Sequence, residues 1–373
     1  MTISIYYYFV LFVLFVSYIN VKLSVGIFVF GVAFILSQLL PTGFDYQYYE
    51  IDYLSGYFSE LPPFFYTDGG LTAEPLYKVY SGLIRVLTQS SFQAFLSLNF
   101  LLCILVYYFF FPVRKGSVFY FSLLYLMPVI LPTIFYFSPR SSLSFFLVLA
   151  SLYLLISSKI TKAMMCSFLG VMIHSQYIPF VAFLFFVYFV GGKYPERDMK
   201  KSTLLLIIIG VAFTISLFFL GSFISLISSA LSFLPSGDVA STKLHYFASS
   251  DSGFRITSLL SVIIFPILMY IYWKRRHLLI NKIKVSSEFN ERLCFFIMIP
   301  VVYGVSINIS FYDAPHLSGR LGRFSDYFLF FTLIPLSLRC IFSNRIVLLV
   351  LTIFVVSAPL LYPTVYLIHK GLD

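Results

Sequence analysis

The sequence predicts an all-α polytopic membrane protein, on three observations. The first is composition: 60% of the 373 residues are hydrophobic and 11% are charged, with mean hydropathy +0.94. Soluble domains carry about 45–50% apolar and about 25% charged residues. A chain this apolar cannot cover itself with polar groups, so its solvent is lipid. The second is arrangement, because the apolar residues fall in runs near the ~20 residues that a helix needs to cross a bilayer. The third is that Lys and Arg gather in short clusters between the runs, which is a topology signal. The 46 Phe and 29 Tyr fit lipid-facing and interfacial positions.

In chain order the predicted spans are 4–20, 22–40, 91–111, 117–136, 139–157, 163–190, 202–232, 258–273, 293–312, 324–340 and 345–365. The N-terminus, MTISIYYYFV, has neither a basic leader nor a small-residue cleavage site, so the first run reads as a retained helix. Segment 163–190 is long enough for one tilted helix or two short ones. Charge decides between them. Arg114-Lys115, Lys159–Lys162 and the basic stretch Trp273–Arg292 all belong inside, and an even number of crossings must separate the last two. Splitting the segment at His174-Ser175 satisfies this and puts Lys193, Arg197, Lys200 and Lys201 inside as well. About twelve (11–12) membrane helices result, with 17 of the 25 basic residues inside and both termini outside. The chain reads as one integral membrane domain, 1–373. Its outer loops are 41–90, containing a short amphipathic interface helix, then 233–257 and 313–323.

Several functions are excluded. Cys103, Cys166, Cys294 and Cys340 lie in apolar runs without CxxC spacing and read as small core hydrophobes. The formal charge of +10 is dispersed over topology clusters, so nucleic acid is not a partner. No HExxH, GxSxG, Walker, Rossmann or zinc-ligand pattern is present. No metal or cofactor is expected.

Chemistry therefore rests on a few polar residues. The first outer loop holds Asp45, Glu50, Asp52, Glu60, Asp68 and Glu74, six of the 15 acids. After Glu74-Pro75, Leu76, Val79, Tyr80, Leu83, Ile84 and Leu87 recur at helical spacing, predicting the interface helix. Glu74 then either favours the positive end of that helix or acts in a site. Glu50-x-Asp52 reads as a solvated pair. Arg140, between two apolar runs, costs about 2.5–3.5 kcal/mol if drawn unpaired into hydrocarbon. It either snorkels to headgroups or binds an anion. Arg320 and Arg323 form a second outer basic focus, against the orientation rule, and their forks suit bidentate phosphate contacts. Neighbouring Gly319 and Gly322 would let backbone N–H groups approach the same anion. His174, alone among the five histidines, lies within a membrane segment. It is either satisfied by a carbonyl or placed as a base.

Taken in order, Asp45-Tyr46, Glu74-Pro75-Leu76-Tyr77, an Arg opening a helix (Arg140), His174-Ser175 closing one, and late Arg320 and Arg323 resemble the EpsG-type branch of the O-antigen/exopolysaccharide (Wzy) polymerases. The resemblance covers most of the chain. It implies a GT-C-like enzyme of the bacterial inner membrane with a periplasm-facing site, acting in lipopolysaccharide or related surface-polysaccharide assembly. The growing glycan on undecaprenyl pyrophosphate would be donor, and one repeat unit on the same carrier acceptor. Arg140, Arg320 and Arg323 would hold the pyrophosphate, and His174, Glu74 or Asp45 would take the acceptor's proton. A chain-length regulator, a flippase and membrane lipids would be partners. Two rivals are an O-antigen ligase, which usually has one dominant late outer loop, and a lipid-linked oligosaccharide flippase, which should carry charges at several mid-helix positions. Neither feature is present in this sequence.

Overall fold

Every regular element among the described residues is helical, as long apolar runs require. In hydrocarbon the backbone N–H and C=O groups must be satisfied within their own segment. The computed structural model describes residues 3–38, 53, 75–88, 91–111, 120, 123, 139–191, 199–231, 256–278, 286–311, 315–343, 345–350 and 352–353. Among these, six helices are long and apolar enough to cross a membrane: Val21–Gln38, Phe92–Phe110, Pro139–Ile156, Lys200–Phe219, Glu288–Ser310 and Arg323–Ile341. Tyr8–Ile19, Ile160–Ile173 and Ser175–Gly191 are shorter apolar helices. The protein is thus an all-α polytopic membrane protein. Expected spans 117–136 and 345–365, and loop 233–257, fall largely or wholly outside the described residues.

The helices cluster into two compact units, residues 1–175 with 330–373, and residues 176–329. The first holds α1 (Ile3–Ile19), α2 (Val21–Gln38), α3 (Pro75–Leu87), α4 (Phe92–Phe110), α5 (Pro139–Ile156) and α6 (Ile160–Ile173). Its centre is α5, in which nearly every residue is buried. Small polar residues let the helices approach closely, as they do inside membranes. Ser144 Oγ donates to the Gly170 carbonyl (2.6 Å), and Ser167 Oγ to Ser151 Oγ (2.6 Å). A Cβ on Gly170 would sit 2.9 Å from Val148 Cγ2. The α5–α6 turn closes with the Lys159 N–H on the Leu154 carbonyl (2.9 Å) and Ser158 at φ 57°. That is a Schellman-type stop, here with Ser in the left-handed position.

The second unit holds α7 (Ile178–Gly191), α8 (Met199–Leu231), α9 (Ile256–Arg275), α10 (Ser287–Ser310), α11 (Pro315–Leu321) and α12 (Arg323–Phe328). Here α10 is central, packing on α7, α8, α9, α11 and α12. A Cβ on Gly210 of α8 would lie 2.3 Å from Val302 Cγ1, so the small residue admits α10. Ser306 Oγ and Ser310 Oγ then donate to the Gly210 and Thr214 carbonyls at 3.2 and 3.0 Å. The 33 residues of α8 run for about 50 Å at 1.5 Å per residue. At the basic end of α9, Arg276 Nε pairs with Glu291 Oε1 at 3.0 Å, and Asn290 Nδ2 donates to the Arg276 carbonyl (3.1 Å).

After α12 the chain makes a π turn over Leu329–Leu333 and continues as α13 (Ile334–Ile341), which belongs to the first unit from residue 330. Pro335 has no N–H to give the Phe331 carbonyl four residues back. Tyr107 supplies the donor instead, its hydroxyl 2.9 Å from that oxygen.

Candidate active site

Arg140 enters the first turn of α5 directly after Pro139, a residue suited to a helix start. Its side chain is half-buried, with Nε fully buried. The turn beneath it is held by a polar cluster inside otherwise apolar packing. Asn99 of α4, with no exposed surface, donates through Nδ2 to Ser142 Oγ (2.8 Å) and to the Pro139 carbonyl (3.2 Å). Ser142 Oγ donates to that same carbonyl at 2.5 Å. Asn99 Oδ1 accepts from the Tyr80 hydroxyl of α3 at 3.0 Å. Burial, reinforced by Cys103, Tyr77 and Tyr53, pushes the Tyr80 phenol well above its ordinary range, so it stays a donor.

Helix α3 starts at Pro75, as the Glu-Pro spacing predicts, and packs on α4 and α6. Tyr77 is buried against Phe95, whereas Leu83, Val86 and Leu87 are exposed. Of the periodic apolar positions, Leu83 and Leu87 are thus the ones that face away from the protein. Glu74 and Asp45 lie outside the described residues.

His174 stands where α6 ends. Its backbone is extended (φ −152°, ψ 108°), its N–H closes on the Gly170 carbonyl at 3.0 Å, and a 3₁₀ turn follows over Ser175–Tyr177. The segment is thus two helices, as charge balance requires, and they meet at His174-Ser175. His174 is 8% exposed. The Ser144–Gly170 bond fixes the register of α5 against α6. Arg140 lies four residues before Ser144 and His174 four after Gly170, so both reach the same end of that hairpin.

Arg320 and Arg323 belong to the second unit. The expected loop 313–323 is largely helical: α11 runs to Leu321 and α12 begins at Arg323. Tertiary bonds hold it. Ser318 Oγ donates to Asn308 Oδ1 (2.6 Å), Asn308 Nδ2 to the Gly304 carbonyl (2.9 Å), Gln176 Nε2 to the Arg320 carbonyl (2.6 Å) and Ser325 Oγ to the Pro300 carbonyl (2.7 Å). Arg320 is exposed and Arg323 half-buried. One expectation needs correcting. The Gly322 N–H does not face an anion, because it is bonded to the Ser318 carbonyl at 2.8 Å. Gly322 is there for space, since a Cβ would meet that carbonyl oxygen at 2.8 Å. Gly322→Ala should therefore lose about 1–3 kcal/mol, read as a lowered unfolding midpoint in detergent. Gly26→Ala, with nothing within 4 Å, should be neutral. Equal midpoints would remove the steric account.

The sequence model of the EpsG family matches residues 22–371, nearly the whole chain. The chain belongs to the EpsG family. Membership points to polysaccharide polymerisation by a glycosyltransferase-like membrane protein. Among curated proteins and among solved structures, nothing matches. In this EpsG-family chain the structure brings Arg140 and His174 to one end of the α5–α6 hairpin, and Arg320 with Arg323 to one short helical stretch of the second unit. The residue that residue-by-residue reading missed is Asn99. Its signal is present, because a lone Asn in the apolar run LSLNFLLC is an intramembrane polar residue and so a functional candidate by default.

Proposed function

We propose that the protein polymerises undecaprenyl-pyrophosphate-linked oligosaccharide repeat units into O-antigen or a related surface polysaccharide, at the periplasmic face of the bacterial inner membrane. One observation carries this reading: in an EpsG-family chain, a half-buried arginine and a nearly buried histidine share one end of a helical hairpin. An acceptor hydroxyl attacks the donor's anomeric carbon from the face opposite the pyrophosphate, inverting that centre. The carbon–oxygen bond to pyrophosphate breaks, its electron pair leaves with undecaprenyl pyrophosphate, and the hydroxyl proton passes to the base. Arg140, Arg320 and Arg323 offer charge-assisted bonds where negative charge develops, the role that preorganised donors play best. Of the three base candidates, His174 leads Glu74 and Asp45, since a neutral imidazole is held in an apolar setting more cheaply than a carboxylate. Chain-length regulator and flippase would be its pathway partners.

Reconstitution tests the reading. Purified protein in proteoliposomes, given undecaprenyl-pyrophosphate-linked repeat units on the leaflet corresponding to the periplasm, should form a ladder of polymer. It should release one undecaprenyl pyrophosphate per bond, with EDTA present. Transbilayer movement of the lipid without a new glycosidic bond would make the protein a flippase. Transfer only to a lipid A–core acceptor would make it a ligase.

A further inference from the structure

We propose that Asn99 is a positioning residue for Arg140, linking the interface helix α3 to the anion-binding turn of α5; this rests on the function proposed above. A typical helix carbonyl accepts one bond, from the N–H four residues on. The Pro139 carbonyl accepts two side-chain donors besides, from Asn99 Nδ2 and Ser142 Oγ. This convergence fixes the peptide group between Pro139 and Arg140 and hence the direction in which the arginine leaves the backbone. The other side of Asn99 is held by the Tyr80 hydroxyl, so three helices set one arginine. Cys103 Sγ completes the enclosure at 3.9 Å from Asn99 Oδ1 and 3.8 Å from Ser142 Oγ.

Packing alone does not call for this arrangement. A leucine at 99 would fill the space in an apolar helix pair, and a buried amide without partners is costly. Here each Asn99 polar atom is used, and the bonds converge on one turn. Because these bonds lie wholly between protein groups, their contribution is preorganisation of the arginine. The α5–α6 interface supplies a control, since Ser151 and Ser167 are equally buried and bonded but lie three turns from Arg140.

The test is binding of radiolabelled inorganic pyrophosphate to the purified full chain in nanodiscs, by equilibrium dialysis. Arg140→Ala should weaken binding at least tenfold. Asn99→Ala should weaken it about tenfold, Ser142→Ala and Tyr80→Phe about two- to fivefold, and Ser151→Ala not at all. The decisive result is non-additivity: adding Asn99→Ala to Arg140→Ala should change nothing further. Should Asn99→Ala fail to accumulate, Tyr80→Phe, which deletes one oxygen, carries the same cycle. Native-like binding by Asn99→Ala or by Tyr80→Phe in a protein whose Arg140→Ala variant is weak overturns this inference alone, as does an additive double variant. Native-like binding by Arg140→Ala overturns the inference together with the pyrophosphate assignment.

Discussion

Cells carrying Arg140→Ala should make no long polymer and accumulate lipid-linked single repeats, with the protein still at its normal level in the membrane. Removing one preorganised donor to a developing oxyanion typically lowers the rate by about 10²–10³, and a processive ladder compounds that loss at every addition. The α5 start keeps the bonds that Asn99 and Ser142 give it, so the fold should survive. Arg140→Lys should restore little if the fork grips two oxygens at once. Arg320→Ala and Arg323→Ala should lose polymer similarly, and the short helices holding them keep their ties through Ser318, the Arg320 carbonyl and Ser325. Gel-resolved polymer beside immunoblots decides it. Normal ladders from all three Ala variants would end the pyrophosphate assignment.

His174→Ala should cut the rate of bond formation by about 10²–10⁴, the usual size of a general-base contribution. Here too a folding defect can be told apart from a chemical one. The bond that ends α6 uses the main-chain N–H of residue 174, which alanine keeps. His174→Gln, which preserves hydrogen-bonding capacity but accepts no proton at neutral pH, should be as inactive as alanine. A role in packing alone would show the reverse, with Gln near normal. If His174→Ala polymerises normally while Glu74→Gln or Asp45→Asn does not, the base is a carboxylate of the first loop.

Features that depend on local spacing or on charge balance were legible in the sequence. The helix after Glu74-Pro75 announces itself through a proline start and an apolar face, and the division of 163–190 into two helices follows from the even crossings that flanking lysines demand. The cluster around Arg140 was not legible, because Asn99 meets its partners at sequence separations of 19, 40 and 43. No periodicity connects those positions. The helical state of 315–321 was hidden for a related reason. Seven residues including a glycine have no strong helical preference of their own, and the structure there is imposed by Asn308 and Gln176 from elsewhere in the chain. The π turn likewise needs both Pro335 and a tyrosine more than two hundred residues earlier.

The length of α8 sets a height above the bilayer. Residues Lys200–Phe219 are apolar enough to cross, with exposed lysines at 200 and 201 marking one water boundary. Twelve further residues, Leu220–Leu231, continue in the same helix, adding about 18 Å at 1.5 Å per residue. Tilt cannot absorb this: laying 50 Å across a 30 Å core would need an inclination beyond the ~40° at which membrane helices stop. The far end therefore rises through the headgroups as a mast. Serine stands at 222, 225, 228 and 229 there, among leucine, isoleucine and phenylalanine. Whatever that end of α8 meets, it meets outside hydrocarbon, among headgroups and water.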